Sequence, residues 1–472
     1  MQHLIWITRR IAMNVYEAKT TPKARLLKMV TTLREEIVAG KRREGEFIPS
    51  ELNLCEQFRL SRSSVRKGLE TLVADGYIEK VERIGTKVKK RPQSDTVNLI
   101  FGIYSSLLNE VNLQELIDVF HGKYPNIRIQ MVDHYFPNNR PAIISHTQTK
   151  GIDVMIVNAY HFETIEGNGQ EEHLLEPLEA NAGIYPFLTE HFTKNGTLLA
   201  QPFIYSPVIL CYNKDHFREL GLSEPDSSWT WEDVRTAGKR LSNGNDRYGL
   251  YFHVLSDNRW PLFLLQNGVT FQKNGQGKYQ LDDPKIREGL QYCMDLMNDR
   301  DLFPAYLSES NVDVEALFLK QKVSMIVVTY NSLNALRDAP FAYDIAPLPY
   351  YREPKTLLSL IGLAVNRQSK QQVAAKLFID FLVSHESQLS IRKNTMNIPA
   401  LKIAAEWNGD ETVGNRPSRF HLFREIMPTF RFFTELNVPF TSFSLMRDEL
   451  KFYWARLDDL DTVLQRMEDK LS

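Results

Sequence analysis

Residues 49–86, PSELNLCEQFRLSRSSVRKGLETLVADGYIEKVERIGT, constrain the fold of this chain more than any other stretch. Pro49-Ser50-Glu51 opens a helix, with Ser50 placed as its N-cap and Leu54, Cys55 and Phe58 facing inward. After the turn Arg59-Leu60, Ser61 caps a second helix whose core face is Val65, Leu69, Leu72 and Val73, and Gly76 closes it. Residues 77–81 and 86–90 alternate as two strands around a short turn holding Gly85. Upstream, Leu26, Val30, Leu33 and Ile37 recur at helical spacing until Gly40. Three helices followed by a basic two-stranded ribbon are the layout of a winged helix-turn-helix, which makes double-stranded DNA the first partner to consider.

In such a layout the last helix presents its N-terminal residues to base edges in the major groove, and Arg matches the O6/N7 pair of guanine. Ser61, Arg62, Ser63 and Arg66 occupy that position. Arg83, Gly85, Thr86 and Lys87 form the wing, placed to grip phosphate or enter the minor groove. An isolated helix with two exposed arginines would be read as a solvated face. Here both caps, the turn and the wing accompany them.

Charge divides the chain in the same way. Residues 1–92 carry 20 Lys and Arg against 11 Asp and Glu, whereas the remainder carries 37 against 47. A basic head on an acidic body fits nucleic-acid contact through one end. Three scattered cysteines, Cys55, Cys211 and Cys293, lack metal-ligand or disulfide spacing, so neither a cofactor nor a metal is expected. No apolar run approaches the ~20 residues of a membrane span. The first residues, MQHLIWITRRIAMN, make a poor export signal because the arginines follow the short apolar patch. Residues 1–22 are therefore expected to be a disordered tail, or translation to start at Met13, and the protein to be cytoplasmic.

Residues 23–90 resemble the DNA-binding domain of the GntR family of bacterial transcription regulators. The matches are Ile48-Pro49-Ser50-Glu51, Ser61-Arg62-Ser63-Ser64-Val65-Arg66, Leu72 to Ile78, and Gly85-Thr86. The resemblance implies operator contacts by Ser61, Arg62 and Arg66, a wing held by Thr86, and a homodimer, since two heads must span two half-sites. Leu52 and Arg83 depart from the family, which often has Arg and an earlier glycine there.

Beyond a short joint, residues 91–95, the pattern becomes α/β. Strands are expected at 97–104, 127–132, 152–157, 207–212, 248–255 and 323–329, and helices at 231–241, 285–298, 370–384 and 446–470. Alternation of this kind argues for parallel sheets with a ligand crevice at the strand C-termini. His121 and His216 are expected on helical surfaces. The body, 96–472, resembles the extracellular sugar-binding proteins of bacterial ABC importers, a two-lobed α/β periplasmic-binding-protein-like (type II) fold. The motifs that carry the resemblance include Phe120-His-Gly-Lys-Tyr-Pro-Asn-Ile127, Gly151-Ile-Asp-Val-Met155, Tyr212-Asn-Lys-Asp215, Trp229-Thr-Trp-Glu-Asp233, Pro347-Leu-Pro349 and Asn397-Ile-Pro399.

A sugar site pairs aromatic faces with amides and carboxylates. Candidates at strand ends and hinge crossings are Tyr104, Ser105, Asn158, Tyr160, Phe203, Tyr205, Asp257, Trp260, Tyr330, Asn331 and Asn397. Trp260 is favoured by the resemblance, while Trp229 and Trp231 read as structural. Together these features point to a ligand-responsive transcription regulator, with repression the expected direction and a small-molecule effector, a sugar, as its signal. An enzyme-fused regulator is the alternative, and it lacks a nucleophile elbow, P-loop or metal cluster. A transport receptor with an incidental head is the other.

Overall fold

The computed structural model describes residues 22–38, 42–74, 76–81, 84–89, 96–134, 140–166, 173–244, 246–305, 308–409 and 414–471. The expected tail up to residue 21, the joint 91–95, and Arg83 lie outside the described residues.

The head consists of α1 (Pro22–Val38), α2 (Glu51–Phe58), α3 (Arg62–Ala74) and an antiparallel pair, β1 (Ile78–Val81) and β2 (Gly85–Val88). Ser50 Oγ accepts the Asn53 amide at 3.2 Å and Ser61 Oγ accepts the Ser64 amide at 3.2 Å, so both short helices begin where a side chain replaces the missing backbone acceptor. The core is Met29, Leu33, Leu54, Val65, Leu69, Leu72, Tyr77, Ile78 and Val88. Gly68 lies where α1 crosses α3: a Cβ there would stand 2.4 Å from Met29 Cε. Val73, expected on the core face, is exposed at 37%, one step past the stripe of Val65, Gly68, Leu69 and Leu72, and Met29 fills the core instead.

The body is built from β3 (Val97–Ile103), β4 (Ile127–Asp133), α4 (Arg140–Lys150), β5 (Val154–Asn158), α5 (Ala159–Glu166), β6 (Gln201–Asn213), α6 (Trp231–Leu241), β7 (Tyr248–Tyr251), α7 (Trp260–Gln266), β8 (Val323–Thr329), β9 (Tyr343–Ala346), β10 (Thr356–Val365), β11 (Ile398–Pro399), α8 (Phe440–Trp454) and α9 (Leu460–Lys470). Strand order is β4-β3-β5-β10-β6-β8-β7, with β9 and β11 also paired to β6. The two lobes share β6, all 13 residues of which are buried. Its first half pairs with β10, from Leu363↔Gln201 to Leu358↔Pro207, and its second half with β8, from Thr329↔Val208 to Met325↔Tyr212.

The sheets are mixed, which corrects the all-parallel expectation. β3/β5 and β7/β8 run parallel, but β10 and β6 cross between the lobes antiparallel to their neighbours. β6 is also twice as long as expected. Pro202 argues against a continuous strand, yet the register shift opposite Ile361 and Gly362 makes its neighbour Phe203 a bulged residue and absorbs the irregularity, while Pro207 pairs with Leu358 in regular register. The strand expected to 255 stops at Tyr251, and the helix expected over 446–470 is two helices, broken at Arg456 (φ 58°) and restarted by the Asp459 cap. His216 is buried, with Nδ1 3.0 Å from Ser324 Oγ, and His121 Nε2 accepts the Ile129 amide at 3.0 Å, so neither is a freely solvated surface histidine.

Helix α6 lies hard on β7, since a Cβ on Gly249 would meet Gly238 O at 2.2 Å. Its Thr230–Asp233 capping box fixes where it starts. Trp231 is buried and donates from Nε1 to Gln266 Oε1 at 2.8 Å, the structural role expected of it.

Candidate ligand cleft and nucleic-acid interface

The parallel pairs β3/β5 and β7/β8 end in the segments that carry most of the candidate residues, as strand C-termini do in α/β crevices. In the first lobe, Tyr104 Oη lies 2.5 Å from His161 Nδ1 and accepts the Asn158 amide at 3.3 Å, while Asn158 Oδ1 accepts the His161 amide at 2.8 Å. Burial raises the Tyr104 pKa and lowers that of His161 to about 4, so both are neutral near pH 7. Ser105 is exposed and donates to Asp133 Oδ1 at 2.6 Å.

A polar seam joins the lobes. Ser206 on β6 donates to Asn331 Oδ1 at 3.1 Å and accepts the Asn331 amide at 3.1 Å, and Thr329 also bonds Asn331 Oδ1. Asn331 Nδ2 reaches Glu110 Oε2 at 3.4 Å, and Asn397 Nδ2 reaches the Glu110 carbonyl at 2.5 Å. Glu110 comes from the first lobe and Asn331 from the second, so the Glu110 side chain reaches across the seam to Asn331 while its backbone carbonyl accepts from Asn397. Burial raises the Glu110 pKa.

Behind this seam stands Arg259, 1% exposed, donating from Nε to Val327 O at 2.9 Å and from Nη1 to Asn258 Oδ1 at 2.5 Å. Its Nη2 has no hydrogen-bond partner among the described residues. Burial lowers its pKa to about 10, opposed by the charge of Glu315. Burial in turn pushes the Glu315 carboxyl up to about 7, against the pull of a Ser332 hydrogen bond and Arg259. Asp257 accepts both of its bonds from Arg447 Nη1 on α8, at 2.7 and 2.8 Å, yet burial still holds its pKa above the usual value. Tyr160 is stacked on Phe440 with centroids 3.9 Å apart, and burial, then the charge of Asp257, raises its pKa.

The remaining candidates lie deeper. Trp260 has no exposed surface and packs against Phe443 (5.7 Å) and Trp454 (6.1 Å). Tyr330 donates to Phe420 O at 3.1 Å and accepts the Phe423 amide at 3.0 Å. Tyr205 sits edge-on to Tyr185 and Phe423, and Phe203 is fully buried at its bulge. The structure thus gathers Tyr104 with Asn158, Asn331 with Asn397, and Tyr160 with Asp257, and places Phe203, Tyr205, Trp260 and Tyr330 in the core. Sequence reasoning missed Glu110, Arg259, Glu315 and Arg447. Only Arg259 left a signal, as a lone cation at the head of the apolar run WPLFLL.

On the head, Arg62 and Ser63 are exposed at the start of α3. Arg66 is exposed too, and its Nε donates to both Glu51 oxygens, at 2.9 and 3.1 Å, tying α3 to the start of α2. Leu52, at the α2 position where the resembled family often has Arg, is 51% exposed. In the wing, Thr86 O accepts the Ile48 amide at 3.0 Å, Lys87 Nζ lies 3.1 Å from Glu79, and the Phe47 ring covers Gly85 (φ 146°).

The profile of the family described as bacterial extracellular solute-binding protein matches residues 105–389, more than half of the chain. The chain belongs to this family. The profile described as bacterial regulatory proteins, gntR family, matches residues 27–88, which makes the head a gntR winged helix. Neither is an enzyme family. Among curated proteins, the body is 24% identical over 333 residues to the sn-glycerol-3-phosphate-binding periplasmic protein UgpB of Brucella melitensis, covering 65% of this chain and 74% of that one. It is also 24% identical over 318 residues to an arabinooligosaccharide-binding protein of Bacillus subtilis, covering 63% and 72%. Among solved structures, a Thermus thermophilus maltotriose-binding protein with maltotriose superposes with a TM-score of 0.63 at 18% identity, covering 79% of this chain and 98% of that one. Among the described residues, no helix is long and apolar enough to cross a membrane.

Proposed function

We propose that this protein is a cytoplasmic, homodimeric transcription repressor that binds a two-fold operator through its gntR head and senses a small solute between the lobes of its body. The observation that carries this reading is the union in one chain of an exposed, correctly capped recognition helix with a solute-binding body whose lobes meet at a buried polar seam. Ser50, Ser61, Arg62, Ser63, Arg66, Arg83, Gly85, Thr86 and Lys87 form the DNA-reading surface in this proposal. Ser50 acts by setting the α2 start, and Arg66 by contact and by its Glu51 tether.

Tyr104, Ser105, Asn158, Tyr160, Asp257, Asn331 and Asn397 line or brace the solute site, and Phe203, Tyr205, Trp260 and Tyr330 support it from below. Amides, carboxylates and tyrosine faces at strand ends suit a polyhydroxylated ligand. The arabinooligosaccharide, maltotriose and glycerol-phosphate named for the relatives are all of that kind, and a sugar or oligosaccharide is the effector proposed. A ligand that prefers one lobe arrangement shifts operator affinity by its differential affinity for the two states, ~1–3 kcal/mol in typical couplings.

The test is a gel-shift with the DNA upstream of the gene and a panel of oligosaccharides and polyol phosphates. Release of the retarded band by one class of solute is the expected result. Retardation that no solute alters would sink the sensor, and failure to retard any DNA would sink the regulator.

A further inference from the structure

The first lobe contains a cavity away from the strand ends that carry the proposed solute-site residues. It measures about 300 Å³, the lower end of the range for small-molecule sites. Ile143 of α4, Met155 of β5, Ile165 of α5 and Leu175 give it an apolar wall. Its mouth lies beside 366–368, the turn that follows β10 where Val365 pairs with Val154. That is the N-terminal end of β5, and the three residues from Met155 to Asn158 put about 10 Å of strand between cavity wall and sensor residue.

One wall residue is anomalous. Thr147, in α4, is only 7% exposed and lines the cavity, and its Oγ1 has no hydrogen-bond partner among the described residues. Helical threonines nearby return their hydroxyls to the carbonyl four residues back: Thr149 to Ser145 at 2.7 Å and Thr164 to Tyr160 at 3.1 Å. Thr147 forgoes that bond. A buried hydroxyl without a partner costs about 1–3 kcal/mol, which an acceptor placed in the cavity would recover.

We infer that this cavity is a second ligand site, for a small neutral molecule with an apolar body and one hydroxyl or carbonyl that bonds Thr147. A charged head is disfavoured beside Thr147, because a carboxylate would lose its hydration for one neutral donor. Arg367 at the mouth is exposed and already donates to His173 O at 3.3 Å. The ligand's polar end therefore points inward and its apolar body fills the space between Ile143, Met155 and Ile165.

The probes are hexan-1-ol and hexanoate, titrated into the full chain labelled at isoleucine and methionine methyl groups. Hexanol is expected to shift the Ile143, Ile165 and Met155 signals saturably and to bind more tightly than hexanoate. Thr147→Val keeps the shape and removes the hydroxyl, and should weaken hexanol about fivefold, the worth of one neutral hydrogen bond. Ile144→Trp or Leu174→Trp, whichever retains the parent unfolding midpoint, should abolish binding by filling the space. Absence of saturable shifts at these methyls, tighter hexanoate than hexanol, or hexanol affinity unchanged by Thr147→Val would each overturn the proposal. None of these readouts depends on DNA or on the effector, so the sensor proposal stands or falls separately.

Discussion

The recognition surface of the head and the polar seam of the body do their work under opposite physical conditions. On the head, Ser61, Arg62, Ser63 and Arg66 fall within six residues of sequence, sit in water and are placed by caps that neighbouring residues supply. In the body, Asn397 meets Glu110 across 287 residues of chain, and Arg259 is sealed from solvent. Exposed charges are screened and cheap to hold, whereas buried ones carry desolvation costs that shift their titration. A surface that must meet an outside polyanion can be written locally. A seam between two lobes needs residues from both, and only the completed fold assembles it.

Substitutions can break or sharpen this contrast. Trp260→Ala should cost the body ~3–5 kcal/mol, the range for emptying a buried tryptophan site, read as a fall in the denaturant midpoint. A Trp260 that served the solute alone would leave that midpoint in place. Arg62→Ala with Arg66→Ala should weaken operator binding roughly a hundredfold to a thousandfold at fixed salt, because each bidentate base contact is worth ~1–3 kcal/mol. Fluorescence anisotropy with labelled operator measures it, and unchanged affinity would dismiss the recognition helix.

Glu315 sharpens the electrostatic side. Its folded pKa, about 7, lies above the ordinary 4.5 because of burial. Its contribution to stability is fully present below pH 4.5 and is lost as pH rises through 7, by roughly 2 kcal/mol once its partial exposure is allowed for. Glu315→Gln should therefore flatten the melting temperature between pH 4.5 and 8 relative to the parent chain, and a parallel pair of curves would contradict the assignment. The smallest effect belongs to the head: Ser50→Ala removes the α2 cap and should cost ~1 kcal/mol, seen as faster amide exchange in 51–58 with the body unaffected.

Legibility in the sequence followed the same division. Helices α2 and α3 were readable because Ser50, Ser61 and Gly76 mark their ends, and only the angular step between Leu72 and Val73 was misjudged. In the body, β8 and α6 fall on their expected residues, one an unbroken apolar run and the other started by a capping box. β6 was half hidden, since its first half passes Pro202 beside a bulge that forms only against β10. The candidate residues at strand ends could be named one by one, but their partners could not. Nothing local to Glu110, Glu315 or Arg447 announces the Asn, Arg or Asp each one meets.

Strand β6 makes the fate of one lobe the fate of the other. Its thirteen residues give hydrogen bonds to β10 along one stretch and to β8 and β9 along the next, so losing either sheet unzips a backbone the survivor needs. Heat will therefore take the body apart in one all-or-none step, without a half-melted stage in which a single lobe persists.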